Sequence, residues 1–113
     1  MKKDIEISII MIKKSEMKKL NFKYKNKKKT TNILSFSYNT INFLKNKFLG
    51  EIVVCNEVIY EESIQQKKIL IAHWAHIIIH GVLHLLGYNH NKKMEKLEKK
   101  IMKNLGYKNP YYI

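Results

Sequence analysis

The chain has 113 residues, enough for one domain with a single core and no need of cross-links. A hydrophobic fraction of 45% excludes a wholly disordered chain, and a lone cysteine, Cys55, excludes an intramolecular disulfide framework and suits a reducing compartment. The 22 basic residues, all lysine, outnumber 9 acidic ones; the net charge of +13 attracts polyanions, either nucleic acid or an anionic membrane surface.

Met1-Lys2-Lys3 opens like a signal peptide, but Asp4, Glu6 and Ser8 interrupt the apolar region and no small-residue cleavage site follows, so a cytoplasmic protein is expected. Residues 4–12 alternate, with Ile5, Ile7 and Ile9 on one side and Glu6 and Ser8 on the other, the period of a strand. Ser15 is placed to cap a short helical turn through Met17 and Leu20, closed by Asn21. Residues 23–30 are a charge run and read as an exposed loop or hairpin tip. Residues 32–38 read as a second strand, 39–49 as an irregular connection, and Glu51–Asn56 after Gly50 as a buried strand carrying Cys55. Glu57–Glu62 starts a helix, and Ser63 is placed to cap another. A long helical pattern runs from about Gln66 to Leu86, ended by Gly87. Its Ile77–Leu86 run is the most apolar of the chain, yet it is too short for a bilayer and holds His80 and His84. A final amphipathic helix spans Lys92–Asn104, with Met94, Leu97, Ile101 and Leu105 as its apolar stripe and Gly106 as its stop.

All five histidines fall between positions 73 and 90. On a helix, His73, His76, His80 and His84 lie within roughly an 80° arc. His80 and His84, one turn apart, converge on one ion; Gly87 stops the helix and lets His90 return as a third ligand. The H-x-x-x-H-x-x-G-x-x-H spacing is that of metzincin zinc hydrolases. Three imidazoles leave a fourth tetrahedral position open for water, the pattern of a catalytic zinc. The protease motif has a glutamate as general base directly after its first histidine; here Gly81 stands there, which opposes peptide hydrolysis. His73 and His76 read as helix residues hydrogen-bonded elsewhere or as support for the ligands, and Cys55 as a packing residue rather than a fourth ligand.

The run His80-Gly81-Val82-Leu83-His84-Leu85-Leu86-Gly87-Tyr88-Asn89-His90 resembles the H-G-x-L-H-L-x-G-Y-D-H signature of the YbeY family of endoribonucleases and ribosomal RNA maturation factors. Leu20-Asn21 with Tyr24-Lys25 is similar to that family's L-N-x-x-Y-R, Thr31–Phe36 to its T-N/D-V-L-S-F, and Leu49–Val54 to its L-G-D-I-V-I; Leu105-Gly106-Tyr107 with Pro110 fits its ending. The resemblance implies one Zn2+ per chain held by His80, His84 and His90, with His76 and Asn89 supporting the ligands. It implies cleavage of single-stranded RNA at the 3′ end of small-subunit ribosomal RNA and in ribosome quality control. The expected partners are ribosomal RNA and the small ribosomal subunit, with no membrane and no DNA. Lys25 stands where the family has arginine and is the expected catalytic cation, keeping the charge but not the bidentate fork. Asn89 stands where the family has aspartate and carries no charge to raise ligand basicity. The alternative is a zinc-stabilised, ribosome- or RNA-binding protein with weakened or lost catalysis.

The expected fold is α+β, one domain over 1–113. A small mixed sheet of three or four strands packs against a long metal-binding helix and a C-terminal amphipathic helix. The family's strand and helix before the first strand have no expected counterpart, which makes the sheet small.

Overall fold

The computed structural model describes residues 6–37 and 48–111. Asp4, Ile5 and Tyr38 of the expected strands, and residues 39–47 of the expected connection, lie outside them. The elements run β1 (Glu6–Met11), α1 (Lys14–Lys25), β2 (Ile33–Ser37), β3 (Phe48–Val54), α2 (Asn56–Gln65), α3 (Leu70–Leu85) and α4 (Lys92–Asn104). The strands form a three-stranded mixed sheet in the order β1-β3-β2, with β1 parallel and β2 antiparallel to β3. Thus the mixed sheet is as expected with three strands, and four helices surround it rather than two.

The compact apolar run of β3 takes the central position, where both faces are covered. Ile52 and Val54 are fully buried in one cluster with Ile59 of α2 and Ile77 and Leu85 of α3. Val53, pointing the other way, joins Met17 of α1, Leu34 and Cys55. The helices α2 and α3 therefore cover one face, and α1 covers the other. Fully burying each such side chain is worth about 1.5–3 kcal/mol, so β3 anchors both layers.

Several boundaries differ from the sequence reading. Ser15 lies inside α1, which is capped at Lys13 and is a full helix rather than a short turn. Asn21 does not close it: its buried amide donates to the Lys29 carbonyl at 2.7 Å, pinning the returning loop, and α1 ends at Asn26 with φ 55°. The charge run 23–30 is consequently helical up to Lys25. Cys55 leaves β3 to become the N-cap of α2, still fully buried. Ser63 caps nothing; its hydroxyl donates to the Tyr60 carbonyl at 2.7 Å inside α2. A positive φ of 54° at Lys67 breaks the chain direction, so α3 begins only at Leu70.

The last helix has the expected bounds, and Asn91 caps it by accepting from the Met94 N–H at 3.1 Å. Its buried line, however, is Met94, Glu98 and Met102, whereas Leu105 is 59% exposed. The helix is rotated from its purely apolar stripe because α3 presents imidazoles, which need a carboxylate more than another methyl group. No helix among the described residues is long and apolar enough to cross a membrane.

Candidate functional site

The apolar positions of α3 bind it to the sheet, and its histidines face α4. Gly81 is the close-approach point: a Cβ there would lie 2.7 Å from Ile33 Cδ1 and 3.3 Å from both Ile52 Cδ1 and Ser35 Oγ. The residue after His80 is thus pressed against β2 and β3, and a carboxylate at the metalloprotease base position would have to displace the end of the Ile33 side chain.

The end of α3 shapes the site. Gly87 adopts φ +99°, which a Cβ disfavours, and the Gly87 and Tyr88 N–H groups donate to the carbonyls of His84 and Leu83 at 3.0 Å each. This reversal carries the Tyr88 carbonyl back to His84, where it accepts from Nδ1 at 3.0 Å. It also returns His90, whose ring centroid lies 5.3 Å from that of His80.

The sequence reading missed the residue at the centre of this cluster. Glu98 of α4 is fully buried and accepts from His80 Nδ1 at 2.7 Å through Oε1 and from His76 Nε2 at 2.8 Å through Oε2. The Tyr111 hydroxyl donates to the same Oε2. Burial alone would raise the Glu98 pKa, but the donors from Tyr111, His76 and His80 outweigh it and hold it below the ordinary value. Tyr111 is raised well above the ordinary phenol, by burial and by its bond to Glu98. The signal was an acidic residue four positions from each of two buried methionines, in the middle of a helix face that turns inward.

These partners fix the tautomers. An ionised Glu98 and a backbone carbonyl can only accept, so His80 and His84 both carry their neutral-form proton on Nδ1. Their Nε2 atoms, 2.9 Å apart, then point lone pair at lone pair. Two neutral imidazoles cannot hydrogen-bond in that arrangement; a cation or an extra proton must sit between them. Two ligands bound at about 2.0–2.1 Å to one zinc ion stand roughly 3 Å apart, so this donor pair fits the metal. Burial, then the neighbouring His80, depresses the His84 pKa, and burial depresses that of His76 despite Glu98. Among the described residues, however, no group of three His, Cys, Asp or Glu side chains is gathered as a ready metal cluster.

The remaining candidates are dispersed. His73 pairs with Glu62 at 3.0 Å rather than with Glu98, its ring centroid 6.5 Å from that of His76, and Asn89 is exposed. Cys55 belongs to the cluster on the α1 face of the sheet, opposite α3, so it is no fourth ligand. Lys25 is exposed on the last turn of α1, the helix whose buried Met17 packs on the sheet face opposite α3.

The profile described as "Endoribonuclease YbeY" matches residues 1–106 of this chain. The chain belongs to the YbeY family. Two YbeY relatives, each named as an endoribonuclease, come from Buchnera aphidicola. That of subspecies Baizongia pistaciae is 49% identical over 113 residues, covering 96% of this chain and 73% of the relative. That of subspecies Acyrthosiphon pisum is 50% identical over 118 residues, covering 99% and 76%. The solution structure of TM1509 from Thermotoga maritima matches the fold with a TM-score of 0.64 at 25% identity, over 90% of this chain and 69% of that one.

Proposed function

We propose that this YbeY-family chain is a metal-dependent endoribonuclease that cleaves single-stranded RNA in ribosomal RNA maturation, at the 3′ end of small-subunit rRNA, and in ribosome quality control. In this reading residues 1–113 are one hydrolase domain working in the cytoplasm, with ribosomal RNA and the small ribosomal subunit as its partners. His80, His84 and His90 hold one Zn2+. The observation that carries the reading is the pair of facing Nε2 lone pairs 2.9 Å apart, one backed by Glu98 and the other by the Tyr88 carbonyl.

When bound, zinc lowers the pKa of a water to about 7 and polarises a phosphate oxygen. The chain's own groups do the rest. Glu98 keeps the His80 lone pair on Nε2, and its buried negative charge strengthens that donor. The turn after Gly87 keeps His84 in the same tautomer and presents His90 beside them. Gly81 leaves no protein carboxylate in the metalloprotease base position, which suits a phosphodiester rather than a peptide substrate. Lys25 and the other lysines give sequence-independent contacts with the RNA backbone.

The test begins with metal content. One zinc per chain, lost in His80→Ala, is expected. Cleavage of a single-stranded RNA should then stop on chelation and in His84→Ala, and return to the wild type with zinc. Undiminished cleavage by metal-free His84→Ala would overturn the reading.

The neutral, exposed Asn89 favours one second reading, a zinc-stabilised RNA-binding protein that has lost catalysis. Salt-sensitive RNA binding without turnover, unchanged by Lys25→Arg with Asn89→Asp, supports it. Recovery of cleavage by that double substitution supports a weakened enzyme instead.

A further inference from the structure

On the sheet face opposite the histidines, α1 and the loop that returns along it form a groove lined by Lys13, Lys14, Lys18, Lys28, Lys29 and Thr30. The loop is held there by two bonds: the Asn21 amide donates to the Lys29 carbonyl at 2.7 Å, and the Lys27 N–H reaches the Asn21 carbonyl at 3.5 Å. Glu57 also lines the groove and accepts from the Lys14 N–H at 2.9 Å. Lys14 is paired with Glu61 at 2.7 Å; the other four lysines have no ion-pair partner among the described residues. The buried Thr30 hydroxyl oxygen also has no hydrogen-bond partner among them.

Lys14, Lys18, Phe22 and Lys25 follow one another at spacings of four, four and three residues, so they fall on one side of α1 within roughly an 80° arc. Phe22 is 49% exposed, an aromatic face beside a line of cations. The C-terminal ends of α1 and α3 lie at the same end of the sheet, on opposite faces. Tyr24 packs its ring 5.1 Å from Phe36, near the Ser37–Gly50 end of the sheet, and Leu85 at the end of α3 packs against Gly50 at that same end.

We infer that this groove is a track for single-stranded RNA flanking the cleavage site. The unpaired lysines hold successive phosphates and a base stacks on Phe22. Unpaired cations with an exposed aromatic ring fit a single strand, whose bases are free to stack; a duplex would leave Phe22 unused. The inference rests on the proposed endoribonuclease activity for its substrate class, and assigns the binding to a surface that contains none of the histidines.

The experiment measures binding of labelled oligouridylate to the full chain across a salt series. A single strand contributes a slope of about 0.7 per phosphate neutralised. Lys18→Ala with Lys28→Ala should therefore lower the slope by about 1.4 and the affinity at 0.1 M salt by roughly 25-fold, the loss fading towards 1 M. Lys18→Arg with Lys28→Arg should keep both. Phe22→Ala should weaken binding roughly 5-fold or more with the slope unchanged. These positions are exposed, and circular dichroism of each variant checks the fold. Cleavage by the wild type with slope and affinity unchanged in the variants would overturn the track and leave the activity standing. Loss of salt-sensitive binding in the variants, with no cleavage by any protein, would support the track and overturn the activity. Binding to phosphatidylserine vesicles with none to oligouridylate would overturn it as well.

Discussion

Replacing Glu98 by glutamine tests the tautomer argument at its centre. The native carboxylate takes three donors: His80 Nδ1 on one oxygen, His76 Nε2 and Tyr111 on the other. Glutamine has one carbonyl oxygen. Placed at the Oε2 position it keeps the bonds from His76 and Tyr111, but its amide then donates towards His80. His80 must shift its proton from Nδ1 to Nε2, where it donates across the 2.9 Å to His84. Charge-assisted bonds become neutral ones, yet a buried ion is also removed, so the folding cost should be only about 1–2 kcal/mol. Glu98→Ala leaves the donors unsatisfied and should cost about 3–5 kcal/mol. Zinc binding is the more direct readout of the tautomer. With the His80 lone pair blocked, Glu98→Gln should bind zinc about 10–100-fold more weakly. Urea unfolding measures the first effect and competition with a chromophoric chelator the second. Long-range 1H–15N spectra of the metal-free variant should show His80 protonated on Nε2. A variant with wild-type zinc affinity and His80 still protonated on Nδ1 would refute the reasoning.

Gly81→Glu, which writes the metalloprotease glutamate into the motif, should destabilise the protein without creating a peptidase. It forces an unpaired carboxylate against Ile33 and Ile52, at a cost of about 3–5 kcal/mol in thermal denaturation; a folded variant that hydrolyses peptides would contradict this. For Glu62, burial works to raise the pKa, but hydrogen bonds from His73 and Asn32 hold it below its usual 4.5. Its stabilisation is therefore present above about pH 4.5 and lost as pH falls through the lowered value, so urea midpoints should drop on acidification in the wild type and less in Glu62→Gln. Asn91→Ala removes the cap accepting from Met94 and should cost about 1 kcal/mol, read from the same unfolding curves.

Where local chemistry decides, the sequence was sufficient. The alternating and compact apolar runs located all three strands, although β3 begins at Phe48, inside the expected connection, and ends at Val54, before Cys55 and Asn56; the expected extent of α4 matches, with Gly106 beyond its end. The stop at Gly87 and the spacing of His80, His84 and His90 belong to the same class, because a helix turn and a positive φ are properties of a few adjacent residues. The extents of α1 and α3 were misread for a complementary reason. Ser15, Asn21 and Ser63 carry end-of-helix chemistry, but packing and the loop at Lys29 gave those side chains other partners.

Only the tertiary structure decided which side of α4 turns inward. Of the apolar stripe Met94, Leu97, Ile101 and Leu105, Met94 is buried as expected, but Glu98 and Met102 complete the buried line while Leu97 and Ile101 are half-buried and Leu105 is exposed. Buried imidazole N–H groups on α3 need an acceptor, and leaving them unpaired costs more than exposing Leu105. The same contact sets the tautomer of His80 and the direction of its lone pair. The sequence thus determined which histidines face one another; the docking of α4 against α3 determined what those histidines can bind.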